Sequence, residues 1–307
     1  MTNPLSLAII GAGKIARDQH MPAIAAHDAW SLAAVVDPAG ANFGVPVFET
    51  LAELLAQGPP VDAVAICTPP QVRTAIALQA IEAGLHVLLE KPPAATLSDV
   101  AAIEAAIRPG RIVYATWHSR HAPMVAAARE WLTGKAIRSG RLIWHEDARR
   151  WHPGQHWLWE PGGFGVFDPA INAFSILTEI TNAPCSVTRA DFQIPNGLHA
   201  PISAQLDMAV GTAPLAVDLD FRDDEAPQWT IEVETDTGML ELRDGGARLY
   251  LNGEAEPEQG TNEYAEVYRR FASLVANGRS EIDVRPFRLV ADAFLMARIT
   301  TTEPFVP

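Results

Sequence analysis

The stretch LSLAIIGAGKIA, residues 5–16, is a short apolar run that ends in a glycine turn and opens into a helical pattern. Gly11 permits a tight turn, Gly13 lets a phosphate approach the backbone, and Ala16 leaves room for the helix to pack on the strand. The stretch therefore predicts the first β-α unit of a doubly wound sheet, with an anion bound at the helix N-terminus.

The same alternation continues to about Thr116. Further apolar runs, typical of parallel strands buried on both faces, are Leu32–Val36, Val61–Cys67, His86–Glu90 and Ile112–Thr116. Helical patterns between them are Ile15–Ala25, Leu51–Ala56, Val72–Ala83 and Leu97–Ile107. Thr50 and Thr96 each precede an acidic residue by three positions, which is a capping-box signal. We predict a Rossmann domain, with a doubly wound parallel sheet, over residues 1–120.

The pattern changes between about residues 118 and 136. Runs rich in strand-forming residues include Arg141–His145, Ser203–Met208, Leu215–Phe221, Thr230–Glu234 and Leu249–Leu251. Helical patterns are Met124–Leu132, Ala170–Thr181, Glu263–Ala276 and Val290–Ile299. We therefore predict an α/β protein whose second domain, residues 121–307, is α+β with a mostly antiparallel open sheet.

Asp37 ends the second predicted strand, where a carboxylate can accept hydrogen bonds from the adenosine ribose. It would repel a 2′-phosphate, and residues 37–40 (DPAG) offer no arginine to neutralise one. The sequence thus favours NAD over NADP. The candidate cofactor residues in this region are Gly11, Gly13, Lys14, Ile15 and Asp37.

The composition excludes several classes of partner. The 307 residues carry 23 Lys+Arg and 37 Asp+Glu, a net charge of −14, which argues against nucleic acid and anionic membranes. We find no secretion signal and no apolar run of about 18 residues. Two cysteines allow at most one disulfide, and a cytoplasmic location is expected.

Three further motifs accompany the glycine turn: CTPP at residues 67–70, EKP at 90–92 and GGFGVFDPAIN at 162–172. Together they resemble the glucose-fructose oxidoreductase, inositol dehydrogenase and MocA (Gfo/Idh/MocA) family over essentially the whole chain. The resemblance implies that Thr68, Pro69, Pro70, Glu90 and Lys91 also contribute to the cofactor site.

The resemblance also implies the catalytic roles. In this family the lysine of the EKP motif points towards the nicotinamide and the substrate hydroxyl, and the aspartate of the later motif joins it, which here gives Lys91 and Asp168. The chain departs at Asn172, where most members have a histidine base. Asn172 and residues 115–120 (ATWHSR) resemble bacterial aldose 1-dehydrogenases that oxidise L-arabinose and D-galactose. Arg73 is a second departure, since many members have histidine there.

Oxidation of an alcohol requires a base beside the cofactor. Lys91 is the leading candidate, and whether Lys91 or Asp168 holds the proton stays open. Asn172 cannot accept a proton at neutral pH, although its amide can orient a sugar. Because a C1 hemiacetal hydroxyl is more acidic than a secondary alcohol, Asn172 favours oxidation at C1 to a lactone.

Residues 144–159 concentrate tryptophan and histidine. Indole faces stack on sugar rings, so Trp151 and Trp229 are candidate walls of a sugar pocket, although such residues also occur in cores. His118 is a candidate substrate contact or a structural histidine. A metal site is not expected, because Pro153 and Gly154 interrupt the helix that His152 and His156 would need.

Other functions remain open. The chain could oxidise D-xylose or D-glucose, reduce a keto-sugar, or be a non-catalytic NAD- or sugar-binding regulator. Retention of both Lys91 and Asp168 argues against the regulator. From the resemblance we expect a homodimer or homotetramer formed through the C-terminal sheet.

Overall fold

The computed structural model describes residues 3–40, 42–223, 226–258, 260 and 262–306. Its strands are β1 (Leu5–Ile10), β2 (Trp30–Val36), β3 (Val47–Phe48), β4 (Ala63–Ile66), β5 (His86–Leu89), β6 (Val113–Ala115), β7 (Ile137–His145), β8 (Cys185–Pro195), β9 (Ser203–Val210), β10 (Ala213–Asp220), β11 (Gln228–Thr235), β12 (Gly238–Arg243), β13 (Arg248–Leu251), β14 (Glu254–Ala255) and β15 (Ala297–Thr302). Its α-helices are α1 (Met21–Ala25), α2 (Leu51–Gln57), α3 (Pro70–Glu82), α4 (Leu97–Ala106), α5 (Val125–Leu132), α6 (Ala148–Trp151), α7 (Phe167–Ile180), α8 (Glu263–Ala276) and α9 (Arg285–Met296).

The chain forms two compact units. The first comprises Met1–His118 and Asn262–Asp283, and the second comprises Ser119–Thr261 and Val284–Pro307. The N-terminal part of the first unit ends at His118, and the predicted first domain ends at residue 120. The first unit also contains a later segment, Asn262–Asp283, that the sequence prediction assigned to the second domain.

The first unit contains the predicted parallel sheet, with strand order β3-β2-β1-β4-β5-β6. Strand β1 pairs with β2 on one side and with β4 on the other. The strand order reverses there, and ligands of doubly wound sheets bind outside the carboxyl ends of the strands at such a point. The helix caps agree with the sequence, since Thr50 accepts from the Glu53 amide and Thr96 from the Asp99 amide, both at 3.1 Å.

The first helix differs from the prediction of one regular helix over Ile15–Ala25. Ala16–His20 is π-helical and continues directly into α1. Such wide turns are rare and are often found at functional sites. This one ends at His20, whose side chain is fully buried.

Helix α8 belongs to the first unit because its apolar face packs there. Tyr264, Tyr268 and Phe271 recur at helical spacing and are buried. The Phe271 ring stacks on Trp30 of β2 with a centroid separation of 4.8 Å. A helix that is distant in sequence therefore completes the core beside β2.

The second unit contains the predicted mostly antiparallel sheet, with strand order β14-β13-β12-β11-β7-β10-β9-β8-β15. Two pairs, β7 with β10 and β8 with β15, are parallel. Helix α9 begins at Arg285 rather than near Val290, and Ile299 lies in β15 instead of a helix. Pro286 explains the early start, because proline is well suited to the first turn of a helix.

Candidate active site

The glycine turn after β1 has the geometry of a phosphate-binding loop. Gly11 has φ +86°, and a Cβ there would lie 2.9 Å from the Thr68 amide nitrogen. Gly13 is different, since a Cβ there would meet no atom within 4 Å. Gly11 is therefore required by the turn itself, whereas the open space at Gly13 fits the close approach of a pyrophosphate.

Asp37 at the end of β2 bonds the glycine turn. Its Oδ2 accepts from the Ala12 amide at 2.7 Å, and its Oδ1 accepts from the Ala39 amide at 2.8 Å. Each carboxylate oxygen has a second acceptor site, so the arrangement leaves capacity for ribose hydroxyls. The carboxylate thus both shapes the turn and presents negative charge at the end of β2.

The other predicted cofactor residues of the first unit occupy the ends of strands or the start of a helix. Lys14 and Ile15 begin the first helix, and the Lys14 ammonium pairs with Asp18. Pro69 precedes α3 and Pro70 is its first residue. The Thr68 and Thr116 hydroxyls, after β4 and β6, are buried and have no hydrogen-bond partner within the described residues. Unmet hydroxyls at this edge fit a bound dinucleotide.

The Glu90–Lys91–Pro92 turn follows β5. Glu90 is 3 % exposed, and its carboxylate bonds to His20, Tyr264 and the Lys91 amide within the unit. Lys91 is half-buried. The Glu90 carboxylate therefore bonds to interior groups of the protein.

His118 contacts two residues of α8. Its Nδ1 lies 2.6 Å from Glu263 Oε2, and its ring stacks on Tyr264 at 5.3 Å between centroids. This gives His118 structural partners. Its role as a substrate contact stays a prediction.

Asp168 and Asn172 lie one turn apart on α7, in the second unit. Asp168 is 5 % exposed, and it lies inside the first turn rather than at the helix N-cap. The Asn172 Oδ1 is buried and has no hydrogen-bond partner in the described part of the chain. An acceptor left unmet in this way is typical of a position that a ligand completes.

The aromatic residues predicted to contact a sugar form one group in the second unit. Trp151 packs edge-on against Trp229 at 5.3 Å between centroids, and Trp229 stacks on Trp144 across β11 and β7. Trp151 is 38 % exposed, whereas Trp144 is buried. The structure thus brings Trp151 and Trp229 together and makes Trp144 a core residue.

Glu146 organises this group and was missed by the sequence analysis. Its buried carboxylate bonds His152 Nε2 at 2.8 Å and accepts from Trp229 Nε1 at 2.9 Å. The available signal was a carboxylate inside the tryptophan- and histidine-rich stretch. His20, Tyr264 and Tyr268 were also missed, because no local motif marks them.

The described residues contain neither a metal-binding cluster nor a membrane-spanning helix. Over residues 3–40, 42–223, 226–258, 260 and 262–306, no cluster of three or more His, Cys, Asp or Glu side chains could hold a metal ion. In the same ranges, no helix is both long enough and apolar enough to cross a membrane.

Comparison with known proteins identifies the family. Residues 5–116 match the Gfo/Idh/MocA family model, described as an oxidoreductase family with an NAD-binding Rossmann fold. The chain is 42% identical over 306 residues to galactose 1-dehydrogenase of Pseudomonas fluorescens, covering 98% of this chain and 99% of the relative.

Solved structures agree with this result. A D-galactose-1-dehydrogenase protein from Rhizobium etli is 44% identical, with a TM-score of 0.93 and coverage of 100% of this chain and 99% of that chain. A 3-ketoreductase from Actinomadura kijaniata, solved with NADP and TDP-benzene, shares the fold with a TM-score of 0.83 at 19% identity, covering 98% of this chain and 100% of that one. With its glycine turn, its EKP turn and this full-length likeness, the chain belongs to the Gfo/Idh/MocA family of oxidoreductases.

Proposed function

We propose that this oxidoreductase uses NAD to oxidise an aldopyranose at C1 to its lactone, with D-galactose and L-arabinose as substrates and D-fucose as a third. The observation that carries the proposal is the near-full-length likeness to two proteins named as galactose 1-dehydrogenases. D-Galactose and L-arabinose share their stereochemistry at the centres nearest C1, so one pocket can accept both.

Gly11, Gly13 and Asp37 would hold the cofactor, together with Thr68 and the amino end of α3. When bound, NAD supplies the acceptor for the hydride that leaves the sugar carbon. The negative Asp37 carboxylate supports a preference for NAD over NADP, since a 2′-phosphate would meet like charge.

Lys91 and Asp168 would handle the proton of the reacting hydroxyl. Lys91 donates a hydrogen bond to that oxygen, and Lys91 and Asp168 share the proton that leaves it.

Asn172 would orient the sugar rather than take its proton. Its unmet Oδ1 can accept from a sugar hydroxyl and its amide can donate to another oxygen. The acidity of a hemiacetal hydroxyl makes a separate histidine base unnecessary, and this favours C1 over an ordinary ring hydroxyl.

The test is to follow absorbance of the reduced nicotinamide while purified protein is offered NAD or NADP. The sugars are L-arabinose, D-galactose, D-fucose, D-xylose, D-glucose and myo-inositol. Rapid NAD reduction with the first three is expected. Turnover only with D-glucose or myo-inositol would contradict the substrate assignment, and NAD binding without turnover of any sugar would favour a regulator.

We also propose that the chain assembles as a homodimer or homotetramer through the second unit. Leu295 at the end of α9 is 85 % exposed and Ile299 of β15 is 62 % exposed. Exposed apolar side chains so close in the sequence support an interface. Light scattering of the purified protein tests this, and a monomer at micromolar concentration would contradict it.

A further inference from the structure

The Glu90 carboxylate is enclosed by partners from three parts of the first unit. Its Oε1 accepts from the Tyr264 hydroxyl at 2.8 Å and lies 3.0 Å from His20 Nε2. Its Oε2 accepts from the Lys91 amide at 2.9 Å. The side chain of one motif residue therefore fixes the backbone of the next.

His20 and Glu90 form a buried ion pair. Burial would lower the pKa of His20, but Cys67, Tyr268 and Glu90 outweigh it, so this pKa lies well above its ordinary value. Burial would raise the pKa of Glu90, but the hydrogen bond and charge of His20 hold it well below its ordinary range. Tyr268 adds a further bond, 2.8 Å from His20 Nδ1.

The Arg73 side chain binds the backbone of the same turn. The guanidinium is 3 % exposed and donates to the carbonyl oxygens of Glu90, Pro92 and Thr68. Two of these carbonyls flank Lys91 on either side, and the third belongs to the loop after β4. Arginine suits this task, because its rigid fork of donors can reach several acceptors at once.

We propose that Arg73, His20, Glu90 and Tyr264 are positioning residues for Lys91. They hold the peptide group between Glu90 and Lys91 and the Pro92 carbonyl that follows, so that the Lys91 side chain starts from a fixed direction towards the reacting hydroxyl. The inference rests on the proposed function, in which Lys91 acts on that hydroxyl. It adds a role for helix α8, since Tyr264 lies 174 residues from Glu90 in the chain.

Catalytic geometry is sensitive to such support, because a small misplacement of a reacting group lowers the rate without abolishing binding. A purely structural network would instead lower stability and leave the kcat of the folded protein unchanged. The two roles therefore differ in a measurable way.

The main test compares Tyr264→Phe with Tyr250→Phe, which makes the same chemical change in β13 of the second unit. Tyr264→Phe should lower kcat with D-galactose by roughly tenfold, less than the roughly 100-fold loss that a misplacement of a reacting group by about 1 Å can cause. The KM and the NAD dissociation constant should stay within about twofold, because neither ligand is held by Tyr264. Tyr250→Phe should match the unchanged protein.

A second readout does not depend on turnover. The chain has three lysines, Lys14, Lys91 and Lys135, so acetylation of each can be followed by mass spectrometry. Tyr264→Phe and Arg73→Lys should each change the acetylation rate of Lys91 relative to Lys135 at least twofold, and Tyr250→Phe should not.

The outcomes separate the two proposals. If the unchanged protein turns over no sugar, the proposed function fails, while the acetylation rates still test the positioning. If folded Tyr264→Phe and Arg73→Lys keep both kcat and Lys91 acetylation unchanged, the positioning role is overturned whatever the substrate. Should Tyr264→Phe not fold, Arg73→Lys carries the same test from the other side of the turn.

Discussion

Glu90 in the first unit and Asn172 in the second unit both have buried polar atoms, but only the Glu90 carboxylate has protein partners on both of its oxygens. The Asn172 Oδ1 has none within the described residues. Buried polar groups are normally paired, and an unpaired one costs stability. The protein thus supplies all the partners of the Glu90 carboxylate itself, whereas in the proposed function a sugar hydroxyl supplies the partner of the Asn172 Oδ1.

The same contrast occurs inside the first unit. The Thr68 and Thr116 hydroxyls, which follow β4 and β6, are buried without a partner in the described part of the chain. We infer that paired groups around Glu90 hold geometry, whereas unmet groups at the strand ends receive the dinucleotide.

The largest expected effect comes from removing Lys91, whose backbone the hydrogen-bonded groups around Glu90 hold. Lys91→Ala should lower kcat by about 10³-fold, because it deletes a hydrogen-bond donor and a member of the acid–base pair. Stability should change little, since Lys91 is half-buried. Stopped-flow or steady-state reduction of NAD measures this, and Lys135→Ala is the matched control. A Lys91→Ala enzyme with near-normal kcat would break the assignment.

The hydrogen-bonded groups around Glu90 should also contribute to the free energy of unfolding. His20→Asn leaves the buried Glu90 charge without its cation, and breaking such a pair costs about 3 kcal/mol of the free energy of unfolding. Chemical denaturation measures the change. His199→Asn is the matched control, because His199 is exposed and its backbone amide supplies its hydrogen bond. Equal stability of the two variants would argue against a charged pair.

The pH dependence of the His20 contribution has a definite sign. Since the pKa of His20 is raised in the folded state, the unfolded chain releases this proton first, near its ordinary value of 6.5. The stabilisation is therefore complete below about pH 6.5 and is lost as pH rises towards the folded pKa. Unfolding free energies from pH 6 to 9 should fall in the unchanged protein, and this fall should be shallower in His20→Asn.

For Asn172, whose Oδ1 has no partner in the described residues, we expect the opposite: a substitution should lower activity without lowering stability. Asn172→Leu keeps a similar shape but removes an unmet acceptor, so the free energy of unfolding should hold or rise by about 1 kcal/mol. Its kcat/KM for D-galactose should nevertheless fall about 50-fold, because the sugar loses its orienting amide. Activity and stability measured on the same preparation decide this. A variant that loses several kcal/mol would show that Asn172 is a structural residue.

The sequence predicted the fold because local patterns carry it. The glycine turn, the alternation of strands and helices, and the two threonine caps each lie within a few residues, and the structure confirms both sheets. The apolar pattern predicts the last helix only from Val290, whereas α9 begins at Arg285, where Pro286 in the first turn is the helix-start signal.

The hydrogen-bonded groups around Glu90 could not be predicted from local patterns in the same way. His20 and Glu90 lie 70 residues apart, and Tyr264 lies a further 174 residues on. Arg73 acts on backbone carbonyls, which leave no mark in the sequence. Only the tertiary packing of α8 brings these groups together, so the sequence indicated Lys91 but not what holds it.

Substitution of Asp37 should have the smallest effect, a change in cofactor selectivity. Asp37 combines the two situations compared above, because its carboxylate has protein partners and is also proposed to contact the cofactor. Its carboxylate is partly filled by the Ala12 and Ala39 amides, yet it should also serve the cofactor. Asp37→Asn keeps an acceptor for the Ala12 amide and removes the charge, whereas Asp37→Ser removes the charge and also withdraws the acceptor, because its side chain is shorter. If charge alone selects the cofactor, both variants should shift the ratio of kcat/KM for NADP to that for NAD upward by about tenfold. A shift with Asp37→Ser alone would assign the selectivity to the shape of the glycine turn, and no shift with either variant would remove Asp37 as the discriminator.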